Sequence, residues 1–231
     1  MAYITYFERY PLASFAVLFI SLPLVLAIYR FAWLDKAFRL LFLFLCLDLG
    51  IGISMMYLAT HRTNNLLLLN LFVPCRYLLF SGMFYYKFQS PGFRKIILYT
   101  LIGFVPFTLL DMYTSNPQLS DLHNHRVGRY SQVVESVLII AWVLLYFYEM
   151  TKTLKVNNII TYPFFWVCAG LLLFYSGNIF YFPFWYYMYV WEDDLKLGFV
   201  EEVPNVVEII SLLLFSIGIW QTRAHYDSPE S

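Results

Sequence analysis

Two glutamates lie inside stretches of chain that are otherwise hydrocarbon. Glu135 belongs to the run 131–150, SQVVESVLIIAWVLLYFYEM, and Glu208 to 204–220, PNVVEIISLLLFSIGIW, each directly after a Val-Val pair. About twenty apolar residues are enough to cross a bilayer as a helix, and an ionisable group at that depth faces protein or water rather than lipid. Arg76 stands midway along a third such run, and Asp48 near the middle of a fourth. An isolated charge at the centre of a span costs roughly 2.5–3.5 kcal/mol, so both need pairing or hydration, and an acidic partner is expected for Arg76. Carboxylates grouped around a guanidinium could bind a ligand, pass protons or ions, or do acid–base chemistry if their pKa values were driven apart.

Helical spacing gathers further polar groups into stripes. Ser131, Gln132 and Glu135 share one face, as do Asn205, Glu208 and Ser211, and as do Tyr175, Asn178 and Phe182. Depth counted along each run puts Asn70, Glu135, Asn178 and Glu208 in a similar outer layer, with Arg76 below them. The expected site is an outward-facing polar pocket between the third, fifth, sixth and seventh spans. Its ligand-binding residues would be Asn70, Arg76, Glu135, Tyr175, Asn178 and Glu208. Asp48, Glu135 and Glu208 form the matching set for a proton or ion relay. The plainer reading is interhelical glue, worth about 0.6 kcal/mol per contact on average, in which the charges simply lock the bundle. For Asn70 and Asn178 taken singly, glue is the better reading. Asp111, close to its helix end, reads as an interfacial cap or a solvated residue.

The composition requires elements that suit a membrane. Hydrophobic residues make up 61% of the 231, charged residues only 13% and aromatics 21%. Soluble domains carry about a quarter charged residues, so this is an all-α membrane protein. Seven spans are expected near 10–30, 38–60, 65–88, 95–112, 129–150, 162–187 and 204–222, in a single domain over 1–231. Pro23, Pro74 and Pro106 fall inside spans and can kink them. The first run is too long for a signal-peptide core and no basic region precedes it, so no cleaved signal is expected. Nine basic residues fall on the side of the turns after spans one, three, five and seven, against five on the other. That excess predicts an N-terminus outside and a cytoplasmic C-terminus.

Other signals are weaker. Cys46, Cys75 and Cys168 all lie in apolar runs and read as buried thiols. His123 and His125 in LHNHR are two ligands where a zinc site needs three or four, so they read as a solvated loop. Glu192, Asp193, Asp194, Glu201 and Glu202 would make an acidic outer mouth, with a hydrated loop as the plainer reading. Gly50, Gly52 and the Ser81-Gly82 pair read as points of close helix approach. The seventh span has no lysine for a retinal Schiff base, and HExxH, GxSxG and phosphate-loop motifs are missing. No cofactor or metal is expected. Net charge is zero and no nucleic-acid partner is expected.

The sixth run, 163–184, reads PFFWVCAGLLLFYSGNIFYFPF. Through Phe165-Trp166, Gly170 and Tyr175-Ser176-Gly177-Asn178, with Glu135 in the preceding span, it resembles small seven-helix bacterial membrane proteins related to the membrane-sensing part of histidine kinases. The similarity covers mainly spans five to seven. It implies a stand-alone sensor or accessory subunit in a bacterial cytoplasmic membrane, since no kinase or cyclase domain follows here. The leading expectation is therefore a receptor-like sensory module that binds a small molecule, lipid portion or ion and relays occupancy to a cytoplasmic or membrane signalling partner. A small transporter or proton-coupled carrier is the alternative, and an intramembrane enzyme acting on lipid the third.

Overall fold

The structure, a computed structural model, describes residues 2–116, 125–128, 130–152, 159–190 and 202–227, with side chains described for 6–116, 125–128, 130–152, 159–181 and 202–222. Among the described residues, seven helices are long and apolar enough to cross a membrane. The first span runs Pro11–Tyr29, the second Lys36–Thr60, the third Leu66–Lys87, the fourth Pro91–Ser115 and the fifth Ser131–Lys152. The sixth begins at Pro163 and its helix continues to Val190; the seventh begins at Val203 and continues to Asp227. A short helix, Ala2–Arg9, precedes the first span. The chain is thus a multi-pass helical membrane protein.

The helix ends explain why the spans stop where they do. Asp35 accepts a hydrogen bond from the Phe38 amide (3.0 Å) and caps the second span, while its other oxygen meets Lys87 Nζ at 2.5 Å. The fourth and fifth spans cap one another. Glu149 of the fifth accepts from the amides of Gln89 (3.0 Å) and Ser90 (2.7 Å) at the start of the fourth. Asp111 of the fourth accepts from Tyr130 (3.0 Å) and Ser131 (2.8 Å) at the start of the fifth. Asp111 is therefore a buried cap, and the helix it caps is its neighbour's rather than its own.

Pro23, Pro74 and Pro106 act differently. Pro23 has no amide to give the Phe19 carbonyl, and the first span is interrupted at Ile20 although that residue keeps helical angles. Pro74 and Pro106 are carried inside continuous helices.

The third span is the axis of the bundle: 44% of its apolar stretch is buried, against 22% for the fourth, which lies at the edge. Tyr99 and Ile102 on that edge helix are each 72% exposed, as suits a face turned to acyl chains. Rings fill the interior near the Lys87 end: Phe84 and Tyr146 lie 5.6 and 5.1 Å from Phe164, centre to centre. Gly170 and Gly218 let the sixth and seventh spans close on each other. A Cβ at Gly170 would meet Phe215 Cε1 at 2.7 Å, and one at Gly218 the Pro163 carbonyl oxygen at 2.8 Å.

Three expectations change here. Cys46 and Cys75 lie on exposed faces, and only Cys168 is a buried thiol. Apolar sequence places a residue in the membrane without saying whether lipid or protein surrounds it. Gly52 and Gly82 approach Val17 and Leu40 at 3.0 Å from an ideal Cβ, whereas Gly50 faces open space.

Candidate functional site

Arg76 finds its acid on the fifth span. Its Nε donates to Glu135 Oε1 (2.8 Å) and its Nη2 to Oε2 (2.5 Å), a two-point fork. The Tyr175 hydroxyl, from the sixth span, donates to the same Oε1 at 2.8 Å. Glu135 is 0% exposed and Arg76 only 7%. The rings of Phe72, Phe174 and Tyr175 stand 5.5 to 5.7 Å from the guanidinium carbon, so the remaining face of the cation rests on π-density. Three spans are thereby tied at one point.

Beside this knot is a cavity of about 210 Å³ between the first, second, third, sixth and seventh spans. Each wall is a helical stripe. The second span presents Phe44, Asp48, Ile51, Gly52 and Met55, and the third Leu69, Phe72, Arg76 and Phe80. The seventh adds Glu208, Ser211, Leu212 and Phe215, all at three- and four-residue spacing. Asp48 and Glu208 are half-buried, and neither makes a hydrogen bond to any described residue. Both lie within electrostatic reach of Arg76, and Asp48 within reach of Glu208. Ser211 is satisfied by its own helix, its hydroxyl donating to the Val207 carbonyl at 2.8 Å.

The expected pocket between spans three, five, six and seven is thus displaced toward spans one and two. Of the six expected ligand residues, Arg76 and Glu208 line the cavity. Glu135 and Tyr175 do not reach it, because both are spent in holding Arg76. Asn70 bridges instead to the segment before the fifth span, donating to the Arg126 carbonyl (2.8 Å) and accepting from the Gly128 amide (2.9 Å). Asn178 donates to the Phe174 carbonyl of its own helix at 2.8 Å. Of the relay set, Asp48 and Glu208 share the cavity while Glu135 is separate. Asp48 is the wall residue that the polar-stripe reading underused, and the spacing Phe44, Asp48, Ile51, Met55 carried the signal.

Around Asn70 a second polar assembly fixes residues 125–128. Asn64 donates to the His125 carbonyl (2.8 Å), and Asn116 both accepts from the Arg126 amide (2.6 Å) and donates to its carbonyl (3.0 Å). Gly128 is needed there, since a Cβ would stand 2.6 Å from Asp111 Oδ2. His125 is 2% exposed rather than part of a solvated loop, because these bonds pull its segment inward. His123, Glu192, Asp193, Asp194 and Glu201 lie outside the described residues, as does the side chain of Phe182; Glu202 accepts from Asn205 at 2.9 Å. Among the described residues no group of three or more His, Cys, Asp or Glu could hold a metal ion.

No family model, no curated protein and no solved structure matches this chain.

Proposed function

We propose that this chain is a receptor-like sensory module of a bacterial cytoplasmic membrane, with its N-terminus outside. A small molecule occupies the cavity beside Arg76, and the resulting helix displacement is passed to a cytoplasmic or membrane signalling partner. The observation that carries this reading is the pair of carboxylates, Asp48 and Glu208, facing one cavity from two different spans, with no hydrogen-bond partner for either among the described residues. The second and seventh spans make little direct contact, whereas the sixth and seventh pack closely. A ligand that engages both acids therefore links two elements that the protein itself leaves apart.

A ligand shifts such an equilibrium only by its difference in affinity for the two arrangements. Here the difference arises from how well both acids are reached at once. The Arg76–Glu135–Tyr175 knot supplies the fixed side against which the second and seventh spans move.

The deciding experiment pairs two readouts on the full chain. Crosslinking in the native membrane should capture a signalling protein, and vesicles reconstituted with the purified chain should show no solute or proton flux. Flux that is lost in Glu208→Gln, with no captured partner, would make the same acids the coupling groups of a carrier.

A further inference from the structure

The acidic and basic groups around the cavity are unequal in number. Asp48, Glu135 and Glu208 bring three carboxylates to one guanidinium, and Glu135 already occupies two of the N–H groups of Arg76. What remains facing the cavity is acidic in excess, so an anionic occupant meets two carboxylates and a cation already paired. A bare metal ion fits poorly too. Such ions need a shell of about six or more oxygens, whereas the walls apart from Asp48, Glu208 and Ser211 are mostly aliphatic and aromatic. Phe44, Phe72, Phe80, Phe174 and Phe215 all border the space. Benzene faces beside carboxylates are the surroundings that an organic ammonium group prefers.

Volume bounds the size of the guest. At about 210 Å³ the cavity is below the roughly 300–1,000 Å³ of pockets for drug-sized ligands. We propose that the cavity binds a small organic cation, an alkylammonium-type amine, with its charged head between Asp48 and Glu208 and its hydrocarbon part against the phenylalanine rings. This inference rests on the reading of the cavity as a ligand site and names the ligand's chemistry. An N–H-bearing head can donate to both carboxylates at once, which is how it would join the second span to the seventh.

The test uses the full chain in nanodiscs of phosphatidylcholine at fixed ionic strength, titrated calorimetrically with n-butylammonium, n-butanol, butyrate and Na⁺. Butylammonium should bind, and butanol and butyrate should bind at least about tenfold more weakly, the value of one or more hydrogen bonds to a charged partner. Asp48→Asn and Glu208→Gln should each weaken butylammonium binding by about tenfold or more. If either variant fails to fold, the four-ligand series on the unaltered chain decides. Equal binding of butanol, preferred binding of butyrate, displacement of butylammonium by equimolar Na⁺, or no binding of butylammonium would each overturn the inference. Spin labels at Tyr57→Cys and Val203→Cys, with the native cysteines replaced, separate this from the receptor reading. Butylammonium bound with no change in that distance supports the ligand class and removes the relay. A distance change driven only by a non-cationic ligand does the opposite.

Discussion

Replacing Arg76 by methionine should destabilise the bundle by about 3–5 kcal/mol, the usual cost of breaking a buried ion pair from one side. Glu135 is fully buried and would keep only the Tyr175 hydroxyl at 2.8 Å after losing both arms of the fork. Glu135→Gln should cost less, about 1.5–3 kcal/mol, for two reasons. The amide oxygen can still accept from Arg76 Nε, and the freed guanidinium lies within electrostatic reach of Asp48 and Glu208. Arg76 is thus compensated from the cavity side, whereas Glu135 has no second cation among the described residues. The double variant Arg76→Met with Glu135→Leu should return to within about 1 kcal/mol of the parent, since apolar replacement of a buried pair is often neutral or better. Reversible unfolding of the purified chain in mixed micelles, by titration with dodecyl sulfate and tryptophan fluorescence, measures each of these, with Glu135→Leu alone closing the cycle. The summed costs of Arg76→Met and Glu135→Leu made singly should exceed the double cost by about 2 kcal/mol or more. Additive costs, with coupling under about 0.5 kcal/mol, would refute a shared buried pair.

Other perturbations read the rest of the architecture. Asp111→Ala removes the acceptor for two amides at the start of the fifth span and should cost about 1–2 kcal/mol in the same unfolding assay. Gly218→Ala sets a methyl group 2.8 Å from the Pro163 carbonyl oxygen and should cost about 1–3 kcal/mol, while Gly50→Ala, with nothing within 4 Å, should cost no more than about 0.5 kcal/mol. Tyr175→Phe should cost about 0.6 kcal/mol, rising toward about 1.7 if the charge on Glu135 strengthens that bond, as read in the same micelles. Reporter fusions should place the C-terminus in the cytoplasm and the 60–66 turn outside.

How much of this was legible in the sequence depended on what each signal measures. Long apolar runs gave the seven spans, because hydrocarbon length is a property of one helix alone. That Arg76 needed an acid also followed from its own burial. Which acid it takes depends on the rotation of three helices about their axes, which hydropathy does not encode, and so Glu135 and Glu208 both stood as candidates until the fold distinguished them. Asn70 and Asn178 share a depth with the acids, yet one is turned to the 126–128 segment and the other back to its own helix. Cys46 and Cys75 show the same blindness, their apolar neighbours being compatible with either lipid or protein.

The central claim is that Asp48 and Glu208 face one cavity able to receive a cation. It is tested most directly by cysteine modification in a background where Cys46, Cys75 and Cys168 are replaced. Asp48→Cys and Glu208→Cys should each react with a small cationic thiosulfonate, and butylammonium held by the remaining carboxylate, at about a hundredfold the concentration that half-occupies the unaltered chain, should slow both reactions. Cysteines at these positions that stay unmodified, or that react at a rate butylammonium leaves unchanged, would contradict the account.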